Sequence, residues 1–229
     1  MLQVQSVSKS YQLQGEVLNV LQDINFDLSL GDKVAILGRN GAGKSTLIRL
    51  IGGMEKPDAG RIHSSMSISW PLGYAGGVQG SLTGLDNIYF LCRIYGADPL
   101  AVKDYVADFT ELGKFLWEPV KSYSSGMRGR LGFALSMAFN FDCLLIDEGL
   151  SAGDSRFTQR CHDALTSKKD KSILMVSHSE ASIKEFCEQA YVLQGGQLYS
   201  FDTRTDDQLL RKARPSTVLS AKCRRLASR

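Results

Sequence analysis

Nowhere among the 229 residues does an apolar run approach the roughly 18 side chains needed to cross a bilayer, so any membrane role is expected to come through a partner. The first residues, Met1-Leu2-Gln3-Val4-Gln5-Ser6, hold neither a basic n-region nor an apolar h-region, and no signal peptide is expected. Cys-x-x-Cys is absent. The five cysteines (Cys92, Cys143, Cys161, Cys187, Cys223) are odd in number and scattered, which argues against a disulfide framework or a zinc site and suits a reducing cytosol. There is no internal repeat and no low-complexity tract. What is present is enough to fold: 43% of residues are hydrophobic and 22% charged, which excludes bulk disorder. The length fits one domain, or one large α/β domain with a small insertion.

Acidic residues are missing from Gln208 onward, where seven cations (Arg211, Lys212, Arg214, Lys222, Arg224, Arg225, Arg229) accumulate. Setting these aside turns the formal charge of +3 into about −4 for the remainder. A mildly acidic body with a basic appendage is not the footprint of a nucleic-acid-binding domain, which carries its positive charge on the folded face.

Alternation and β-branched content predict strands at Leu2–Val7 and Ile24–Leu30. Lys33-Val34-Ala35-Ile36-Leu37 reads as a strand buried on both faces, and a glycine-rich turn leads from it to a helical stretch over Lys44–Ile51. Pro57-Asp58-Ala59-Gly60 signals a turn, and Arg61 to Trp70 is expected to form a hairpin. Residues from about 85 to 139 read as mainly helical, with Pro99 at a helix start and helical character continuing from Leu131 to Phe141. Buried strands return at Cys143–Ile146 and Ile173–Val176, flanking a helix over Arg156–Leu165. Tyr191–Gln194 and Gln197–Tyr199 are expected to pair across Gly195-Gly196. This order implies an α/β fold whose parallel core sheet is interrupted by a helical subdomain.

Gly38-Arg39-Asn40-Gly41-Ala42-Gly43-Lys44-Ser45 fits G-x-x-x-x-G-K-S/T between a buried strand and a helix. Its glycines let backbone N–H groups curl around a phosphate at the positive end of the helix. Lys44 would reach the β- and γ-phosphates, and the Ser45 hydroxyl would face Mg²⁺. Asp147, ending a buried strand, would hold Mg²⁺ opposite Ser45, and the adjacent Glu148 would act as general base; the alternative for such a pair alone is a helix cap. His178 follows another buried strand and is expected at the same sheet edge, a structural histidine being the alternative. Tyr123-Ser124-Ser125-Gly126-Met127, ahead of a helical run near Arg128, offers hydroxyls and a glycine N–H to a second anion, or a plain Ser N-cap. Two phosphate-binding loops in one chain are more than a single nucleotide needs.

Taken in order, Gly38–Ser45, Tyr123–Met127, Leu144–Glu148, Ser151-Ala152-Gly153-Asp154 and His178 resemble the nucleotide-binding subunit of an ATP-binding cassette (ABC) transporter, over roughly residues 1 to 205. The resemblance implies a P-loop NTPase cassette with an antiparallel β subdomain and a helical signature subdomain. It implies ATP and Mg²⁺ as ligands, and a homodimer in which two cassettes pair head to tail. Ser124 and Gly126 of one copy would then meet the γ-phosphate held by the other. By the same resemblance Tyr11 stacks on adenine, and Gly38, Asn40, Gly41, Gly43, Lys44, Ser45 and Thr46 hold the phosphates. Gln79 is the Gln-loop residue, near the metal and the reaction; Asp154 lies in the D-loop, and His178 is the switch histidine.

Ser125 stands where that family has glycine, and Met127 where it has glutamine. Together with Gly80-Ser81-Leu82-Thr83-Gly84 and Gly153-Asp154-Ser155-Arg156-Phe157, these departures are similar to the branch that exports cell-surface polysaccharides. Short subunits of this kind resemble the capsule exporters of Gram-negative bacteria, with O-antigen and teichoic-acid exporters as alternatives. The implied setting is peripheral, on the cytoplasmic face of the inner membrane beneath a permease, with the basic tail at 206–229 as a second possible contact. A soluble ABC ATPase of translation or DNA repair would usually carry two cassettes or a coiled-coil insertion. A small-molecule kinase would leave the signature motif and His178 unexplained.

Overall fold

The computed structural model describes residues 1–72, 77–147, 155–177, 180–202 and 224–225. In chain order the strands are β1 (Leu2–Leu13), β2 (Glu16–Leu28), β3 (Lys33–Leu37), β4 (Ala59–Ser64), β5 (Ile68–Leu72), β6 (Cys143–Asp147), β7 (Ser172–Val176), β8 (Gln189–Gln194), β9 (Gln197–Asp202) and β10 (Arg224–Arg225). The helices are α1 (Lys44–Ile51), α2 (Gly84–Tyr95), α3 (Pro99–Thr110), α4 (Ser125–Ala138), α5 (Ser155–Ser167) and α6 (Glu180–Phe186). The chain divides into two compact units, residues 1–68 with 142–148 and 170–229, and residues 69–141 with 149–169.

The first unit is built on parallel strands that are apolar nearly throughout. β3 lies between β7 and β8, pairing Ala35 with Met175 and Ala35 with Ala190, and β6 adds to β7 through Leu145 and Leu174. Strands buried on both faces cannot alternate with polar residues, which is why Val34–Leu37, Cys143–Ile146 and Ser172–Val176 read as continuous buried runs. Helix α1 buries Leu47, Ile48, Leu50 and Ile51 in the same core as Leu145, Leu174 and Val176. The register sets Ile36 beside Val176 and Val176 beside Asp147, so the carboxyl ends of β3, β7 and β6 share one edge. β8 turns into β9 through Gly195 and Gly196 at φ +58° and +76°, the left-handed pair that a two-residue hairpin requires and that the dipeptide predicts.

A separate antiparallel sheet has the order β2-β1-β4. β1 and β2 run further than expected, pairing as far as Leu13 with Glu16; residues 12–19 are exposed on both faces, so their apolar members do not alternate with polar ones as a half-buried strand would. Leu30 lies outside β2, in the exposed turn to β3. The hairpin expected at Arg61–Trp70 does not form: β4 pairs with β1, and β5 belongs to the other sheet. Two strands close in sequence look like a hairpin locally, but β4 finds its partner in β1, with Val4 opposite Ile62. β10, within the basic tail, pairs Arg224 with Ser200 on β9, a strand that composition did not suggest.

Among the described residues of the second unit, 69–72 are extended and the longer elements are the helices α2 to α5. Thr83 and Asp86 form a reciprocal capping box on α2, and Asp98 caps α3 with Pro99 at its first position. The helical character expected to run to Phe141 stops at Ala138, where the chain turns extended at Phe139. Phe139 and Phe141 pack edge-on against Trp70 at 6.0 and 5.4 Å, an arrangement a continued helix could not supply.

Candidate functional site

β3 delivers the chain into the glycine-rich loop. Gly43 stands at φ +102°, and a Cβ there would lie 2.7 Å from Val20 Cγ1, so neither the turn nor the space admits another residue. It precedes α1 without a side-chain cap, and no acidic residue occupies the first turn of that helix. The leading N–H groups of α1 therefore meet no carboxylate of their own helix, and their positive end faces the loop. Lys44 is buried, and its Nζ donates to the carbonyls of Gly38 at 2.9 Å and Arg39 at 3.1 Å. The ammonium is thereby folded beneath the loop, surrounded by oxygen. Arg39, Asn40 and Gly41 are exposed along its rim.

Ser45 Oγ donates to Asp147 Oδ1 at 3.2 Å, across 102 residues of sequence. Ser45 is exposed and Asp147 half-buried, so this pair is open to solvent at the shared strand edge. Among the described residues no group of three or more His, Cys, Asp and Glu could cage a metal. One hydroxyl and one carboxylate fit Mg²⁺, which usually takes one or two protein oxygens and completes its octahedron with water and substrate phosphate. The buried Thr46 turns its hydroxyl to Arg49, whose Nη2 lies 3.3 Å away.

Tyr11 sits inside β1 opposite Leu18, half-buried, with its hydroxyl donating to Glu55 Oε2 at 2.5 Å. That hydrogen bond, reinforced by Arg49, holds the Glu55 carboxyl below its ordinary range against the opposing effect of burial. Arg49 Nε donates to Glu55 Oε1 at 2.5 Å. Sequence reasoning passed over both Arg49 and Glu55, since neither belongs to a motif.

In the second unit, Gln79 is held by its backbone. Its N–H donates to Asn87 Oδ1 at 2.7 Å, and its carbonyl accepts from Asn87 Nδ2 at 3.0 Å. Asn87 is fully buried on α2 and also donates to the Thr83 carbonyl at 2.8 Å. A buried Asn among the apolar positions of α2 was the one signal that could have found it. The turn from Gly80 to Gly84 is laced to the segment before the Tyr123–Met127 loop, Val120 N–H bonding Leu82 O at 2.9 Å and Lys121 N–H bonding Gly80 O at 2.8 Å. Tyr123 is buried and donates to Phe115 O at 2.5 Å, while Arg128 Nη1 donates to Tyr123 O at 2.5 Å. Ser124, exposed, accepts from Met127 N–H at 3.2 Å as the N-cap of α4. Beside Gly126 only Ser124 Oγ, at 3.9 Å, lies within reach of a Cβ, so the loop's outer surface is open.

The first unit thus brings together Tyr11, Gly38–Thr46 and Asp147, while Gln79, Ser124 and Gly126 belong to the second. Glu148, Asp154 and His178 lie outside the described residues.

A family profile described as ABC transporter matches residues 21–76. The chain is 53% identical over 203 residues to the capsule polysaccharide export ATP-binding protein CtrD of Neisseria meningitidis serogroup B, covering 88% of this chain and 94% of that protein. It is 52% identical over 203 residues to the ATP-binding protein BexA of Haemophilus influenzae, with the same coverage. Among solved structures, a dimeric ATP-binding cassette in a post-hydrolysis state bound to ADP and Pi superposes with a TM-score of 0.75 at 22% identity, over 88% of this chain and 98% of that one. With a glycine-rich loop between a parallel strand and a helix, a cassette fold and more than half of 203 aligned residues identical to such a protein, the chain belongs to the ABC transporter family as an ATP-binding subunit.

Proposed function

We propose that this chain is the ATP-hydrolysing subunit of an ABC exporter that moves capsular polysaccharide across the inner membrane. The observation that carries the reading is 53% identity to a capsule polysaccharide export ATP-binding protein over 88% of the chain. In this reading residues 1–205 form the ATPase domain, with a helical subdomain at about 85–139, and residues 206–229 form a basic tail.

Each site residue then has a task. The N–H groups of Gly38–Thr46 and the Lys44 ammonium grip the phosphates, exchanging the loop carbonyls that now hold Lys44 for phosphate oxygens. Tyr11 stacks on the base. Ser45 and Asp147, with Gln79, would hold Mg²⁺, which would supply positive charge against the phosphates. Glu148 accepts a proton from the attacking water, and His178 orients it toward the γ-phosphate. Ser124 and Gly126 of an opposing copy, with Asp154 at the boundary, close the site, so that binding shuts a head-to-tail homodimer and hydrolysis reopens it. No helix among the described residues is long and apolar enough to cross a membrane, and the chain reaches the bilayer through a permease subunit on its cytoplasmic face.

The test is complementation. In an encapsulated Gram-negative cell lacking its own export ATP-binding subunit, this chain together with its cognate permease should restore surface capsule. The Lys44→Ala form should not. Polymer that stays inside the cell with the wild-type chain, permease present and ATPase active, refutes capsule export.

A further inference from the structure

Around Tyr11 lies a set of contacts that nucleotide binding by motif does not require. Its hydroxyl donates to Glu55 Oε2 at 2.5 Å, and Arg49 Nη2 approaches the Tyr11 hydroxyl oxygen at 3.5 Å. Arg49 also pairs with Glu55 through Nε and bonds Thr46 Oγ1. Lys9 Nζ stands 5.5 Å from the Tyr11 ring centroid, anchored by Asp58 Oδ1 at 2.9 Å and the Lys56 carbonyl at 2.9 Å. Asp58 is fixed in turn by the N–H of Ser10 at 2.7 Å and its hydroxyl at 2.8 Å. Strand β1, the end of α1 and the chain leading to β4 all contribute.

The arrangement differs from a surface ion pair in what it restrains. A half-exposed tyrosine ordinarily samples several rotamers, and a stacking ligand must freeze them on binding. Here the hydroxyl is already tethered, and one ring face is already occupied by a cation. Arg49 also touches Thr46, two residues from Lys44 on the same helix.

We propose that Glu55 and Arg49 are positioning residues for the nucleotide base: they hold the Tyr11 ring as a preformed platform, with Lys9 covering one face, and tie it to the helix that carries Lys44 and Ser45. The proposal rests on Tyr11 being the base-stacking residue. The ligand class it serves is a purine nucleoside triphosphate, and the network acts on the base rather than on the phosphates.

The full-length chain is titrated with ATP and, separately, with inorganic tripolyphosphate, both with Mg²⁺, and ATPase turnover is followed in parallel. Glu55→Ala should weaken ATP binding about fivefold, the loss of one ordering hydrogen bond, and raise KM with kcat unchanged. Tripolyphosphate binding should not move. Glu55→Gln, whose amide carbonyl still accepts from the Tyr11 hydroxyl, should restore most of the ATP affinity. Equal loss for ATP and tripolyphosphate would overturn the proposal, because it would mean that Glu55 merely supports α1. Tyr11→Ala separates the two levels. If it weakens ATP binding while Glu55→Ala does not, the positioning role is wrong. If Tyr11→Ala changes nothing, the platform itself is wrong and the proposal goes with it.

Discussion

Lys44 is held by two carbonyls of the glycine-rich loop, so its donors already point into the loop. No other lysine or arginine except Arg39 lies within Gly38–Ser45, and Arg39 is exposed. Lys44→Ala should therefore abolish nucleotide binding or hydrolysis, read by titration with ATP and by phosphate release; normal turnover would refute the phosphate-loop assignment. Glu148→Gln addresses a different step. If Glu148 is the proton acceptor proposed above, the change removes that acceptor but no phosphate contact, so ATP binding should persist while hydrolysis slows by roughly 10²–10⁴-fold. The ATP-bound dimer should then accumulate, and gel filtration with ATP and Mg²⁺ that shows only monomer would contradict the paired-cassette mechanism.

At the scale of elements, α2 organises the chain that precedes it. Asn87 takes up both polar backbone groups of Gln79 and the carbonyl of Thr83, and it is fully buried. Asn87→Leu removes the acceptor of the Gln79 N–H and one of two donors to each carbonyl, since Leu82 N–H still bonds Gln79 O and the residue 87 N–H still bonds Thr83 O; the cost is about 1–3 kcal/mol if water cannot reach the freed N–H. A lower melting temperature is expected, together with slowed hydrolysis at saturating ATP, because the Gln79 side chain then hangs from a loosened turn. An unchanged melting temperature would mean that water replaces the clip. Gly84 shows similar crowding by space alone: a Cβ there would stand 2.5 Å from Tyr123 Oη and 3.2 Å from the Leu116 carbonyl. The turn holding Gln79 and the stem of the Tyr123–Met127 loop are thus assembled as one piece within the second unit.

For the molecule as a whole, the question is whether one copy suffices. Lys44→Ala disables the phosphate loop, and Gly126→Asp sets a carboxylate at the open face of the other loop. On the proposed head-to-tail pairing, a mixed dimer would have one composite site with both lesions and one with neither. Mixing the two inactive variants should return part of the ATPase activity. No recovery from confirmed mixed dimers would count against independent composite sites. The tail poses the second question. Removing residues 211–229 takes away seven cations and the short strand β10, but no residue of the phosphate loop. ATPase activity should be unchanged. Binding to anionic vesicles should fall and should weaken steeply with salt, since each cation near such a surface contributes about 1 kcal/mol before screening. Equal co-sedimentation of the truncated and full chains would leave the tail without a membrane role.

Much of this was legible in the residues because it is local. Val34–Leu37, Cys143–Ile146 and Ile173–Val176 announce strands buried on both faces, since no polar side chain could survive there. Gly195-Gly196 announces a tight hairpin, because the primed turns that close two-residue loops need positive φ, which glycine adopts freely and both positions show here. Gly38–Ser45 announces its loop for the same kind of reason. Other features depend on groups far apart in sequence. The meeting of Ser45 with Asp147 spans 102 residues, and that of Tyr11 with Glu55 spans 44. The choice of β1 rather than β5 as partner for β4, the clip of Asn87 on Gln79, and the cation over Tyr11 belong to the same class. Local pattern tells a residue whether to be helical, extended or turned, but a hydrogen bond's partner is decided by which surfaces are buried together, and that only the folded chain determines.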